Sequence, residues 1–212
     1  MQVKNLYFRR HRQSPYFFQN VSFELEEGLI HALHGKNGVG KSVLLHILSR
    51  KIEGEISGEI IAKSVALMDQ QFDQALAGQF SFVENLQFGS LRRFPSPFSR
   101  LKASSHMMRE CFHKLVEKFH IDVSIPVDKL SGGQRQILAL LMQLRKDAKV
   151  LLLDEPTAAL DEQNATMVFE FLQALKGITI LVVCHDPDLV NRYTTGKHLR
   201  IEVNAEGLRK LQ

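Results

Sequence analysis

Gly35-Lys36-Asn37-Gly38-Val39-Gly40-Lys41-Ser42 is the stretch on which the reading of this chain turns. It follows the apolar run Leu29 to Leu33 and precedes Val43 to Leu48, so the pattern G-x-x-x-x-G-K-[ST] falls between a strand and a helix. A polyphosphate needs inward-facing backbone N–H groups with no side chain in the way, which Gly35, Gly38 and Gly40 supply. The helix opening near Lys41 adds unsatisfied N–H groups and a positive dipole end. Lys41 brings a full charge, and the Ser42 hydroxyl can ligate Mg²⁺. A nucleoside triphosphate is the expected ligand.

Outward from this loop, Val3 to Phe8 and Tyr16 to Leu25 read as an antiparallel pair around a turn at Arg9 to Pro15. Lys41 to Arg50 reads as a helix with Leu44, Leu45 and Leu48 inward. Glu53 to Gly58 reads as a break before strands at Glu59 to Ala62 and Val65 to Met68, with Gln70 just beyond the second. From Phe72 to Lys129 helical periodicity takes over: Met108, Cys111, Phe112, Leu115 and Phe119 form one apolar stripe. Phe80, Phe82, Phe88, Phe94 and Phe98 crowd the same stretch, serving either a core or a groove for a partner's helix, and Pro95 and Pro97 mark a loop in it. A helix is expected at Arg135 to Arg145, after Leu130-Ser131-Gly132-Gly133-Gln134, and another at Asp161 to Leu175. Val150 to Leu153 and Ile178 to Cys184 are wholly apolar, as in strands buried on both faces, and they end in Asp154-Glu155 and His185-Asp186. Polar residues gathered at strand ends place a site at the carboxyl edge of a doubly wound, mainly parallel α/β sheet.

The 212 residues, 44% of them hydrophobic, suit one domain with an inserted subdomain. The formal charge is +4. Basic residues cluster at Arg9, Arg10 and Arg12 and at Arg92, Arg93, Arg100 and Lys102; neither cluster is a long like-charge block, so solvated faces are expected rather than nucleic-acid contacts. Cys111 and Cys184 lie far apart without metal spacing, which fits a reducing compartment. His31 and His34 fall on opposite faces of a strand and should not share a metal. No run approaches the roughly 20 apolar residues that span a bilayer, and no secretory signal is evident, so a soluble cytoplasmic chain is expected.

The order G-K-N-G-V-G-K-S, Gln70, L-S-G-G-Q, L-L-L-D-E-P, Asp161 and His185 resembles the nucleotide-binding domain of the ATP-binding-cassette (ABC) family over nearly the whole chain. L-S-G-G-Q separates that family from other phosphate-loop NTPases. The resemblance implies a phosphate-loop core at 1–71 and 130–212 with an N-terminal antiparallel β-subdomain, a helical subdomain inserted at 72–129, and ATP with Mg²⁺ as ligands. Residues Gly35 to Val43 would hold the phosphates; Ser42, Gln70 and Asp154 would serve the metal. Glu155 would be general base on the attacking water, His185 the contact to the γ-phosphate, and Gln70 a sensor of the membrane partner. Ser131, Gly132, Gly133 and Gln134, with Asp161 at the interface, would close over ATP held by a second copy paired head to tail. The backbone N–H groups of Ser131, Gly132 and Gly133 at a helix start suit such an anion.

Two positions depart from the family pattern. Where an aromatic residue usually stacks on adenine, this chain has Arg10 or His11, near Tyr7, Phe8 and Tyr16; an arginine plane could substitute. Val43 replaces a common hydroxyl residue, at a cost of about 1 kcal/mol for one lost hydrogen bond. The resemblance implies an ATPase that powers an ABC transporter, peripheral at the cytoplasmic membrane face, with separate transmembrane permease subunits and an extracytoplasmic solute receptor. The stretch 123–129 lacks the charged, glycine-containing segment of exporters, and other stretches look similar to ATPase subunits of small amino-acid-type uptake systems. The alternative is a soluble cassette ATPase acting in cluster assembly or on nucleic acid.

Overall fold

A computed structural model describes residues 1–88, 113–144, 148–204 and 207–212. The expected features at Arg92, Arg93, Phe94, Pro95, Pro97, Phe98, Arg100, Lys102, Met108, Cys111, Phe112 and Arg145 lie outside these residues, as does the side chain of Phe88. The strands are β1 (Gln2–Arg9), β2 (Phe18–Glu24), β3 (Ile30–His34), β4 (Glu55–Ile61), β5 (Val65–Met68), β6 (Val150–Asp154), β7 (Thr179–Val183), β8 (His198–Val203) and β9 (Arg209–Leu211). The helices are α1 (Lys41–Leu48), α2 (Phe82–Phe88), α3 (113–118), α4 (Gly132–Leu144), α5 (Glu162–Ala174) and α6 (Pro187–Tyr193).

Among the described residues all nine strands join one sheet in the order β4-β1-β2-β9-β8-β3-β7-β6-β5. Strands β8, β3, β7, β6 and β5 run parallel, and β1 pairs antiparallel with both β2 and β4. The apolar runs of β6 and β7 are buried throughout because each face has its own cover. Leu151, Leu153, Ile180 and Val182 point into a core shared with α4 and α5, while Leu152, Leu181 and Val183 point into a second core shared with α1. Leu115 and Phe119 of the expected stripe are buried in the first of these, and Phe82 joins them, whereas Phe80 is 44% exposed.

Two boundaries differ from expectation by three residues or more, the others by one or two. Strand β4 begins at Glu55 rather than Glu59, since Ile56 pairs with Phe8 and Arg9 Nη2 meets Glu55 Oε2 at 2.8 Å. Gly58 keeps this strand regular enough to pair: it holds φ +96° where β1 bulges, and a Cβ there would stand 2.2 Å from Asn5 O. Helix α4 begins at Gly132, three residues early, because Ser131 and Gln134 cap each other: Ser131 N donates to Gln134 Oε1 at 3.1 Å and Gln134 N donates to Ser131 Oγ at 3.2 Å.

Candidate active site

Four parallel strands deliver chemistry to one edge. Strand β3 ends at His34, and the loop Gly35 to Gly40 turns back through φ +150°, +75° and +113° at Gly35, Gly38 and Gly40. Glycine is needed here for packing as well as for approach to phosphate: a Cβ at Gly40 would lie 2.7 Å from Phe17 Cε1. Lys36, Asn37 and Gly38 are exposed, Val39 is buried, and the Lys41 Nζ donates to Gly35 O at 2.8 Å and Lys36 O at 3.3 Å, across the loop's mouth. Val43 packs on the α1-side core, so its side chain is apolar support.

Strand β6 ends on Asp154, 3% exposed, and Glu155, 8% exposed, follows it. The Ser42 hydroxyl stands near enough to the Asp154 carboxylate to draw its pKa down, and the carboxylate's Oδ2 is buried with no hydrogen-bond partner. Burial holds the Asp154 carboxyl above its ordinary range. Buried acid oxygens rarely go unpaired, and a hard cation would pair this one. Mg²⁺ commonly draws on one or two carboxylates and substrate phosphates, and Ser42 beside Asp154 fits that pattern. Gln70 lies two residues past β5, the strand next to β6. Its approach is held by a neighbour that sequence reasoning missed: His46 Nε2 on α1 stands 2.7 Å from Asp69 Oδ2.

Glu155 has φ +54°, a conformation costly for a non-glycine residue and one typical of functional sites. His185, just beyond β7, donates its backbone N–H to Glu155 Oε2 at 3.3 Å, and its ring Nε2 stands 3.2 Å from Glu155 Oε1. Burial raises the Glu155 carboxyl above its usual range; the His185 ring and N–H pull it back, and Asp154 pushes it further up. A carboxylate raised in pKa by burial, beside an imidazole and a second carboxylate, is suited to accept a proton from a water molecule. Gln136 was not singled out from sequence either. This buried α4 residue donates to Glu155 O at 3.0 Å and accepts from Ala159 N at 3.2 Å, clamping the bend that carries Glu155. Its only signal is an amide within a largely apolar helix, repeated seven residues on at buried Gln143.

Ser131, Gly132, Gly133, Gln134 and Asp161 gather away from this edge. They line a separate cavity of about 290 Å³ with Ala159, Leu160 and Asn164. Asp161 caps α5 by accepting from Asn164 N at 2.8 Å. The expectation of three free N–H groups is corrected at Ser131, whose N–H the cap with Gln134 already uses; among the described residues Gly132 and Gly133 N–H groups have no such partner. Gly133 is packed under the 159–161 bend, since a Cβ there would lie 2.6 Å from Leu160 Cδ2. His31 and His34 share no site: His31 is bound within the β3–β8 layer, and His34 Nε2 meets His198 Nδ1 at 2.9 Å.

Residues 18–158 match the model of the ABC transporter family. The chain is 32% identical over 187 residues to the ribose import ATP-binding protein RbsA of Oceanobacillus iheyensis, covering 79% of this chain and 36% of that protein. It is 34% identical over 199 residues to the ATP-dependent lipid A-core flippase of Xylella fastidiosa, covering 88% and 32%. The chain thus spans about a third of the length of these relatives. The solved structure of cbiO1 from Clostridium perfringens, part of the ABC transporter complex cbiONQ, superposes with a TM-score of 0.75 at 24% identity over 100% of this chain and 86% of its own. That likeness extends to the mixed sheet with its antiparallel β-subdomain. On its matched span and its geometry, the chain belongs to the ABC transporter ATP-binding-cassette family.

Proposed function

We propose that this chain binds and hydrolyses ATP as the energy-coupling cassette of an ABC transporter, at the cytoplasmic face of a membrane. The observation that carries the reading is Glu155: a buried, backbone-strained carboxylate, raised in pKa and held by His185, one residue from Asp154 and at the sheet edge that also carries the phosphate loop. The loop N–H groups and Lys41 would hold the polyphosphate, and Ser42, Asp154 and Gln70 would hold Mg²⁺, which would supply positive charge to offset that of the phosphates. Glu155 orients the attacking water and takes its proton, while His185 fixes the Glu155 carboxylate and faces the γ-phosphate side.

Ser131 to Gln134 line a separate cavity, which supports the role the family resemblance implies for them, closing over ATP held by a second copy. Two chains paired head to tail would place Gly132 and Gly133 N–H groups against the phosphates on the partner's loop, so that ATP joins the pair. A cleft of about 280 Å³ beside Gln71, Phe72, Leu76 and Met142, with exposed Phe80 and Val83 nearby in the chain, suits a segment of a transmembrane partner. Uptake of a small solute, with a solute receptor, extends the resemblance to import cassettes.

The test is Glu155→Gln. Loss of a general base lowers turnover by about 10² to 10⁴ and leaves phosphate contacts in place. Phosphate release should fall by that factor while ATP affinity persists, and scattering with Mg²⁺ and ATP should show accumulated dimers. Near wild-type turnover, or monomers alone, would overturn the reading. Lys41→Ala serves as control and should lose ATP binding itself.

A further inference from the structure

Beside Val39 and Gly40, where the phosphate loop turns into α1, an aromatic ring and a guanidinium pack together against the loop. Phe17, the residue before β2, lies against Gly40 closely enough to forbid a Cβ there. Its ring is fixed by edge contacts to Phe8 and Phe18, with centroids 6.4 and 5.1 Å away. Arg209, at the start of β9, lays its guanidinium 3.6 Å from the Phe17 ring centroid and donates from Nε to Val39 O at 2.8 Å. The cationic plane is therefore positioned by a ring on one side and by the phosphate loop itself on another. Both residues are half-buried, and among the described residues no carboxylate stands within ion-pair reach of Arg209.

The neighbouring aromatic and basic residues are otherwise disposed. Arg10 and His11 stand exposed in the turn after β1; Tyr7 and Tyr16 pack on each other, and Arg9 lies over Tyr16 while paired with Glu55. A guanidinium without an acid partner among the described residues, held over an aromatic ring and against the phosphate loop, has two uses: stacking on a base and attraction to anionic ligand.

From this geometry we infer that the Arg209 guanidinium, backed by Phe17, is the platform on which the nucleobase of the bound triphosphate rests. The inference rests on the loop being a nucleoside triphosphate site. Stacking reads the face of a base and not its edge, so the platform accepts adenine and guanine with little discrimination. It also makes the C-terminal hairpin β8–β9 part of the nucleotide site, since Arg209 reaches the loop from that hairpin.

The experiment compares binding of ATP, GTP and inorganic tripolyphosphate, each with Mg²⁺, to the wild-type chain and to Arg209→Ala, Arg209→Lys and Phe17→Leu. Wild type should bind ATP and GTP within a few-fold. Arg209→Ala should weaken both nucleotides by about 5- to 150-fold, the range for loss of one stacking partner, and leave tripolyphosphate unchanged. Arg209→Lys, which keeps the charge and loses the plane, should sit with the alanine variant if stacking is the role. Equal loss of tripolyphosphate would overturn the inference by making Arg209 a support for the loop through Val39, and so would unchanged ATP affinity in both Arg209 variants. A wild-type chain that binds tripolyphosphate but neither nucleotide would overturn it too, while failure to bind any of the three would instead overturn the function proposed above.

Discussion

Glu155 sits at φ +54° because the chain must leave β6 and reach the bend at 156–160 without losing the hydrogen bond from Glu155 N to Val183 O at 2.9 Å. The cost of such a conformation, of order 1 to 3 kcal/mol, is met by surrounding bonds. Gln136 makes two of them, from a side chain 1% exposed. Gln136→Leu keeps the bulk and removes both partners, leaving a buried C=O at Glu155 and a part-buried N–H at exposed Ala159. The expected cost is about 1 to 3 kcal/mol of stability, from the orphaned Glu155 carbonyl. If Gln136 also positions Glu155, turnover should fall while the affinity for ATP stays, because the phosphate loop does not touch it. A variant with reduced melting temperature and unaltered kcat would show that the clamp is structural only.

At the level of elements, β3 and β8 are held together partly by a histidine. Lys197 N donates to His31 Nδ1 at 2.9 Å, so the ring proton sits on Nε2, which donates to Glu26 O at 3.0 Å. The ring fits under Gly196, where a Cβ would lie 2.4 Å from His31 Cε1. Burial lowers the His31 pKa from 6.5, so the neutral ring is the form that the fold holds. A depressed folded value means the contribution to stability is present above pH 6.5 and is lost as pH falls through the lowered folded pKa, where a proton on Nδ1 opposes the Lys197 N–H. The melting temperature should therefore drop on acidification below pH 6.5, with a slope of up to about 1.4 kcal/mol per pH unit from this group. His31→Gln should start lower and show a flatter profile over the same window; an unchanged slope would remove His31 from the account.

Across the whole molecule, the exposed apolar pair Phe80 and Val83 is laced to the segment that leads into Ser131. Val127 N donates to Phe80 O at 2.9 Å and Asp128 N to Gly78 O at 3.0 Å, while Gln79 Nε2 donates to Asp128 Oδ2 at 2.8 Å. Arg135 Nε adds a bond to Asp73 Oδ1 at 2.9 Å. A push on 77–83 thus reaches the start of α4 through short hydrogen bonds, a physical route from the proposed docking face to the cavity proposed to face a second copy. Val83, 37% exposed, tests the docking face: Val83→Asp should abolish co-purification with a membrane partner and leave the ATPase rate of the isolated chain within about two-fold, since surface substitutions usually cost under 0.5 kcal/mol. Retained co-purification would argue against this face. Salt-sensitive stimulation by DNA would turn the reading toward the soluble alternative.

Local chemistry decided much of this protein in advance. The phosphate loop, the all-apolar β6 and β7 and the acids at their ends are legible because glycine conformation, two-sided burial and buried charge each constrain residue type within a few positions. The alternating apolar residues could be placed on strands, but nothing local said which core each face would meet. Tertiary structure alone decided which residues meet across long separations: Gln136 with Glu155, His46 with Asp69, His31 with Lys197, and Arg209 with Val39. It also carried β4 back to Glu55, because a strand partner can order residues whose own preferences favour a break. Such pairs have no periodicity and no fixed spacing, since they form only when the sheet order brings distant strands side by side.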